Sequence, residues 1–95
     1  TGGRVICGVG VGGDSEKDFE LVGVPMAERG RRTDEGIEVM RALWTEDEAS
    51  FSGPYTRFED VGLNPMPTQP GGPPIWVAGW ADGALRRAGR LGDGW

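Results

Sequence analysis

The sequence of 95 residues contains no histidine. An imidazole general base, or the commonest neutral metal ligand, would therefore have to come from outside these residues. Cysteine occurs once, as Cys7 inside an apolar run, which excludes a disulfide framework and any thiolate cluster with metal-ligand spacing. No lysine follows Lys17. Basic residues number ten against fifteen acidic ones, for a formal charge of -5, and they are scattered or interleaved with acids. That distribution argues against a nucleic-acid partner. No apolar stretch approaches the ~20 residues needed to span a bilayer, and no basic-then-apolar leader opens the chain. These absences predict a soluble, cytoplasmic polypeptide without metal, nucleic-acid or membrane partners.

What is present is punctuated by glycine and proline. Arg4 to Val11 is nearly continuous in apolar and β-branched residues, as expected of a strand covered on both faces in a parallel sheet. Gly12-Gly13-Asp14 breaks it, and Ser15 with Asp18 has the form of a capping box opening a short helix that Gly23 ends. Phe19 and Val22 are its expected buried side. A second helix is predicted from Pro25, a residue suited to the first helical position. Met26, Gly30, Thr33, Ile37, Met40 and Trp44 recur at helical spacing as the core face. Glu28, Arg29, Arg31, Arg32, Asp34, Glu35, Glu38 and Arg41 then form a solvated face, with Glu28–Arg32 and Glu38–Arg41 as weak pairs of about 0.2–0.5 kcal/mol.

From Glu46 to Pro74 the pattern reads as a short hairpin around Gly53-Pro54 followed by a stiff, proline-rich connection. A second buried strand is predicted at Ile75-Trp76-Val77-Ala78. Leu85, Ala88 and Leu91 mark a third helix, which Gly92 stops. Strand, helix, strand, helix with fully covered strands is the order of a parallel α/β sheet. Two such strands leave outer edges unpaired, and the chain opens at Thr1 without methionine and closes on Trp95 after Gly92-Asp93-Gly94. An internal piece of a larger domain is therefore expected.

Two segments carry candidate chemistry. Gly8, Gly10 and Gly13 match the G-x-G-x-x-G spacing of a dinucleotide turn, but no acidic residue closes a second strand ~20 residues on, because the stretch around Glu28 is helical. Two readings of these glycines remain: close packing within a crowded barrel, or approach of a flat cofactor to the backbone at Gly10 and Gly12. Trp80-Ala81-Asp82-Gly83 lies between a strand and a helix, where free amides and the helix dipole favour an anion. Asp82 capping its own helix competes for the same amides. Met40 and Trp44 suit the core, Cys7 an inert buried site, and Arg86, Arg87 and Arg90 an exposed helix surface.

The runs Gly8-Val9-Gly10-Val11-Gly12, Gly23-Val24-Pro25, Glu28-Arg29-Gly30-Arg31-Arg32-Thr33-Asp34-Glu35 and Ala42-Leu43-Trp44 together resemble luciferase-like monooxygenases. So do Leu63-Asn64-Pro65, Pro73-Pro74-Ile75-Trp76-Val77 and Ala84-Leu85-Arg86-Arg87-Ala88-Gly89-Arg90-Leu91-Gly92-Asp93-Gly94-Trp95, in the same order. The resemblance covers essentially the whole chain. It implies an α/β fold, a segment of a (β/α)8 TIM barrel from about strand 4 to the start of strand 6, with residues 1–95 as part of one barrel domain. It also implies an oxidoreductase or monooxygenase using FMN or the deazaflavin coenzyme F-420 on a small organic substrate, with the remainder of the barrel as partner and homo-oligomers compatible. By position, Val11 and Gly12 correspond to residues lining the ring or its side chain, and Gly79, Trp80 and Ala81, backed by Gly83 and Ala84, to the place where amides meet the cofactor phosphate. Trp80-Ala81 departs from the glycine or serine of many relatives and removes a hydroxyl contact. No catalytic residue is assigned. The alternative is a cofactor-free relative with a structural or interaction role, favoured if Trp80 fills the phosphate pocket.

Overall fold

Apolar alternation and glycine stops divide the chain into eight elements. The computed structural model describes residues 1–95. It shows β1 (Cys7–Val9), α1 (Glu16–Val22), a single 3-10 turn (Met26–Glu28), α2 (Arg29–Thr45), β2 (Ala49–Ser52), β3 (Arg57–Val61), β4 (Ile75–Val77) and α3 (Asp82–Leu91). β1 pairs with β4 in parallel, in the register Cys7↔Ile75, Gly8↔Trp76 and Val9↔Val77. β2 and β3 form a separate antiparallel hairpin, with Gly53-Pro54 at its tip and Phe51 stacked on Phe58 at 6.3 Å.

The core lies between the parallel pair and the helices. Ile37 of α2 meets Ile75 and Val77 of β4, all fully buried, and Cys7, Val9, Met40, Trp44, Ala88 and Leu91 pack around them. Each such aliphatic side chain stabilises the fold by about 1.5–3 kcal/mol on burial. Only one face of the strands is covered in this way. On the other, Gly8 and Ala78 are exposed and the Trp76 indole is 47% exposed, so the expectation of cover on both faces is not met by these residues. The free edge of β4 is met differently: the Asp93 amide donates to the Ile75 carbonyl at 2.7 Å and the Val77 amide to the Gly94 carbonyl at 2.9 Å. A parallel bridge joins Trp76 to Gly94, so a third parallel segment begins there.

Helix boundaries follow local chemistry with some corrections. Gly23 ends α1 in the left-handed region, at φ 70°, and its amide donates to the Glu20 carbonyl. Ser15 occupies the cap position, yet its hydroxyl makes no capping bond, so the capping box is not formed. Phe19 is half-buried, whereas Val22 is exposed. Pro25 is extended and precedes the 3-10 turn instead of opening an α-helix. The first strand is also shorter than its apolar run, since only Cys7–Val9 find ladder partners on β4.

The charged face of α2 is not uniformly solvated. Glu35 is buried, and its carboxylate accepts the Tyr55 amide at 3.0 Å, tying the hairpin tip to the helix. Arg32 lies 4.5 Å over the Tyr55 ring, a cation–π contact on the same tip, while bonding Glu28 at 3.2 Å as the helical spacing predicts. Arg41 does not pair with Glu38. It reaches across to the Leu91 carbonyl and to Asp93 Oδ2, at 2.8 and 2.9 Å. No helix is long and apolar enough to cross a membrane.

Candidate functional site

The carboxyl ends of β1 and β4 point toward the same side because the strands are parallel. Beyond them, the segment after β1, the start of α2 and the start of α3 enclose a cleft of about 570 Å³. Val11, Ala81 and Gly83, three positions separated by some seventy residues of chain, line this one cleft together with Arg29. The expected cofactor positions are therefore partly brought together by the fold.

At the mouth of α3, Ala81 takes the cap position in an extended conformation and no side chain caps the helix. Asp82 is thus the first residue of the helix and not its cap. The amides of Trp80, Ala81, Asp82 and Gly83 donate to no atom of the chain, whereas those of Ala84 and Leu85 both return to the Ala81 carbonyl. Unspent donors at the positive end of a ten-residue helix favour an anion, and Ala81 and Gly83, which carry two of the four, line the cleft. A side chain at Gly83 would meet no atom within 4 Å, so a ligand can come close to the backbone there.

The remaining expected glycines have structural reasons of their own. Gly79 has φ 136°, and a Cβ there would stand 2.6 Å from that of Ala84, so only glycine lets the chain turn from β4 into α3. Gly12 has φ 94°, and its Cβ would press on the Phe19 ring at 3.0 Å. Gly10 neighbours Ala78 on the open face of the sheet, and neither Gly10 nor Gly12 lines the cleft. Trp80 is 85% exposed and stands edge-on to Trp95 at 5.3 Å, and the Trp95 indole N–H donates to the Gly79 carbonyl at 2.8 Å. The indole of Trp80 belongs to a second, smaller cavity with Val77, Ala78, Gly79 and Trp95, and leaves the cleft at α3 unfilled.

Two arginines matter here that the sequence placed on solvated helix faces. Arg29 lines the cleft, donates to the Gly13 carbonyl and covers the Phe19 ring at 5.8 Å. Arg87 is buried. Its Nε donates to Asp34, and its Nη2 to the Gly30 carbonyl at 2.9 Å, which fixes the middle of α3 against the first turns of α2. For Arg29, the first residue of α2, the available signal was a cation at a helix N-terminus, where the dipole disfavours it unless something else holds it; Arg87, in the middle of α3, carried no such signal. At the other end of α3, Asp93 accepts the Ile75 amide and the Arg41 guanidinium. These bonds, the first the stronger, hold its carboxyl below the ordinary aspartate range.

Comparison with known proteins is decisive for the family. The family model described as luciferase-like monooxygenase matches residues 1–95. The chain belongs to the luciferase-like monooxygenase family. Among curated relatives, an uncharacterized protein of Mycobacterium tuberculosis is 50% identical over 94 residues, covering 99% of this chain and 31% of that protein. The FMNH(2)-dependent dimethylsulfone monooxygenase of Pseudomonas putida is 38% identical over 96 residues, covering 98% of this chain and 26% of the enzyme. The F420-dependent glucose-6-phosphate dehydrogenase of Nocardia farcinica is 38% identical over 95 residues, covering 97% and 28%. The chain spans under a third of the length of these luciferase-like relatives. These last two relatives are, by name, an FMNH(2)-dependent monooxygenase and an F420-dependent dehydrogenase, both oxidoreductases, and a cofactor-free role is not favoured.

Proposed function

We propose that the chain is the part of a flavin- or deazaflavin-dependent oxidoreductase that grips the phosphate end of its cofactor. In this reading β1 and β4 are the fourth and fifth strands of a (β/α)8 barrel, and the segment pairing at Gly94 opens the sixth. The observation that carries it is the convergence of Val11, Ala81 and Gly83 on one cleft at the amide-rich start of α3. FMN and the deazaflavin coenzyme share a phosphate, and the residues present suit that group. Unspent amides supply donors, Gly83 leaves room, and Gly79 sets the turn that presents them. When bound, the cofactor would supply the hydride or oxygen chemistry; these residues bind and orient. The substrate is taken to be a small organic molecule reached from the same rim, with the acid–base groups of the reaction lying on the other strands.

The test is a pair of substitutions at Ala81 in the full-length protein. Ala81→Asp sets a carboxylate against the phosphate and should weaken flavin or deazaflavin binding by a few kcal/mol in a partly desolvated site. Ala81→Ser adds a donor without charge and should be neutral or slightly favourable. Equal dissociation constants for the two variants would put the phosphate elsewhere.

A further inference from the structure

Trp80 presents an indole that is 85% exposed, and its one aromatic neighbour is Trp95, edge-on at 5.3 Å. A T-shaped pair of this kind leaves at least one face of each ring uncovered. Trp95 is held in place, because its indole N–H donates to the Gly79 carbonyl. The two rings stand with Val77, Ala78 and Gly79 around a cavity of about 320 Å³, near the lower end of the ~300–1,000 Å³ of ligand sites. No charged side chain lines it. Backbone polar groups of the lining are spent within the fold: the Val77 amide donates to the Gly94 carbonyl, the Ala78 amide to the Val9 carbonyl, and the Gly79 carbonyl accepts from Trp95. The cavity lies beside the larger cleft. Gly79 and Trp80 line the one, Ala81 and Gly83 the other, so successive residues form the ridge between them. Ala78 borders Gly10, where a flat cofactor is expected at the backbone; a Cβ at Gly10 would be in ordinary contact with Ala78, at 3.9 Å.

We infer that Trp80 is a specificity-determining residue, and that the cavity between Trp80 and Trp95 takes an uncharged, flat aromatic ring of the substrate. The inference rests on the proposed oxidoreductase reading and names its substrate class. A charged group entering this cavity would lose water and meet no counter-charge, which disfavours ionic ligands. An aliphatic skeleton of the same size would gain the buried area, but not the ring-on-ring contacts that add to it. The position favours a ligand over cover by further chain. The cavity opens beyond Val77, the last ladder residue of β4, at the carboxyl end of the sheet where (β/α)8 barrels place their sites.

The experiment uses the full-length protein loaded with whichever of FMN and the deazaflavin coenzyme it binds. Three probes share one skeleton: 2-naphthol is flat and neutral, decahydro-2-naphthol is its saturated counterpart, and naphthalene-2-sulfonate is flat and charged. Their dissociation constants, and that of the cofactor, are measured by calorimetry in wild type, Trp80→Phe and Trp80→Leu. Wild type should bind 2-naphthol roughly 3- to 10-fold more tightly than either other probe, the range expected of aromatic contacts beyond area burial. Trp80→Phe keeps a ring and should keep most of that preference. Trp80→Leu should abolish the preference for 2-naphthol while holding decahydro-2-naphthol and the cofactor within about twofold, a pattern that loss of folding does not produce. The inference fails, and the cofactor reading stands, if wild type binds 2-naphthol no better than the other two probes or if Trp80→Leu keeps the preference. If Trp80→Leu weakens the cofactor at least as much as 2-naphthol, the cavity holds the cofactor ring and the inference fails. If wild type binds neither FMN nor the deazaflavin coenzyme, the cofactor reading fails and the inference with it.

Discussion

Replacing Arg87 by methionine keeps the length and apolar stem of the side chain and removes its charge. In the native protein that side chain is 7% exposed, donates through Nε to Asp34 and through Nη2 to the Gly30 carbonyl, and so bolts α3 to α2. Two hydrogen bonds from a charged donor contribute about 1.5–3 kcal/mol each when both partners are shielded. Asp34 is not left wholly alone, because its side chain is 27% exposed and Arg90 lies 3.5 Å from its other oxygen. The cost therefore belongs near the lower end of the 3–5 kcal/mol typical of a broken buried pair, at about 3 kcal/mol. With a urea dependence of about 3 kcal/mol/M, the midpoint of the full-length protein should fall by roughly 1 M. Arg86→Met, one residue earlier on the exposed side of α3, should change stability by less than about 0.5 kcal/mol. A double-mutant cycle with Asp34→Asn isolates the pair and should return a coupling of about 1–3 kcal/mol. Arg87→Met and Arg86→Met behaving alike would refute the claim that a buried ion pair joins the helices.

Asp93 gives a pH signature. Its carboxyl is held below the ordinary value of 3.8 by the Ile75 amide and Arg41, so its stabilisation is complete above that value and is lost as pH falls through the lowered one. The stability difference between wild type and Asp93→Asn should thus be flat from pH 7 to 5 and shrink only in acid below about pH 4; a difference that grew on acidification would contradict it. Gly53→Ala should destabilise by about 1–3 kcal/mol, because the new methyl group overlaps the Glu35 carboxylate and the Phe51 ring. The penalty should shrink, but not vanish, in a Glu35→Ala background, where the Phe51 overlap remains, as read from denaturation midpoints of the two single variants and the double.

Much of the fold was legible because it depends on short-range signals. Gly23 and Gly92 end helices, Gly53-Pro54 turns a hairpin, and the runs around Val9 and Ile75 become neighbouring parallel strands. The boundaries went astray where pattern and pairing diverge. The apolar run from Arg4 to Val11 is longer than the ladder available on β4, and Pro25 suits a helix start yet precedes a 3-10 turn. Charged residues were the larger miss. Periodicity puts Glu35 and Arg87 on polar faces, and nothing local announces that the Tyr55 amide will meet one and Asp34 the other, twenty and fifty-three residues away. Of the candidate site, Val11, Ala81 and Gly83 do converge, while Gly12 and Gly79 are needed for backbone geometry in any case. The cleft-lining role of Arg29 depends on the packing of α2 beside α3, which no spacing rule contains.

The register of the parallel segments also constrains how this sequence can vary. Trp76 sits between Gly8 on one neighbour and Gly94 on the other, and a Cβ at Gly94 would lie 2.9–3.0 Å from the indole atoms of Trp76. The ring leans over Gly94 alone, since a Cβ at Gly8 would meet nothing within 4 Å. Positions 76 and 94 form a single volume divided between two strands, so a larger residue at 94 is compatible with the sheet only if the residue at 76 shrinks. Mutational drift at this layer therefore has an order: the residue at 76 has to shrink before the one at 94 grows, because the reverse passes through an overpacked state.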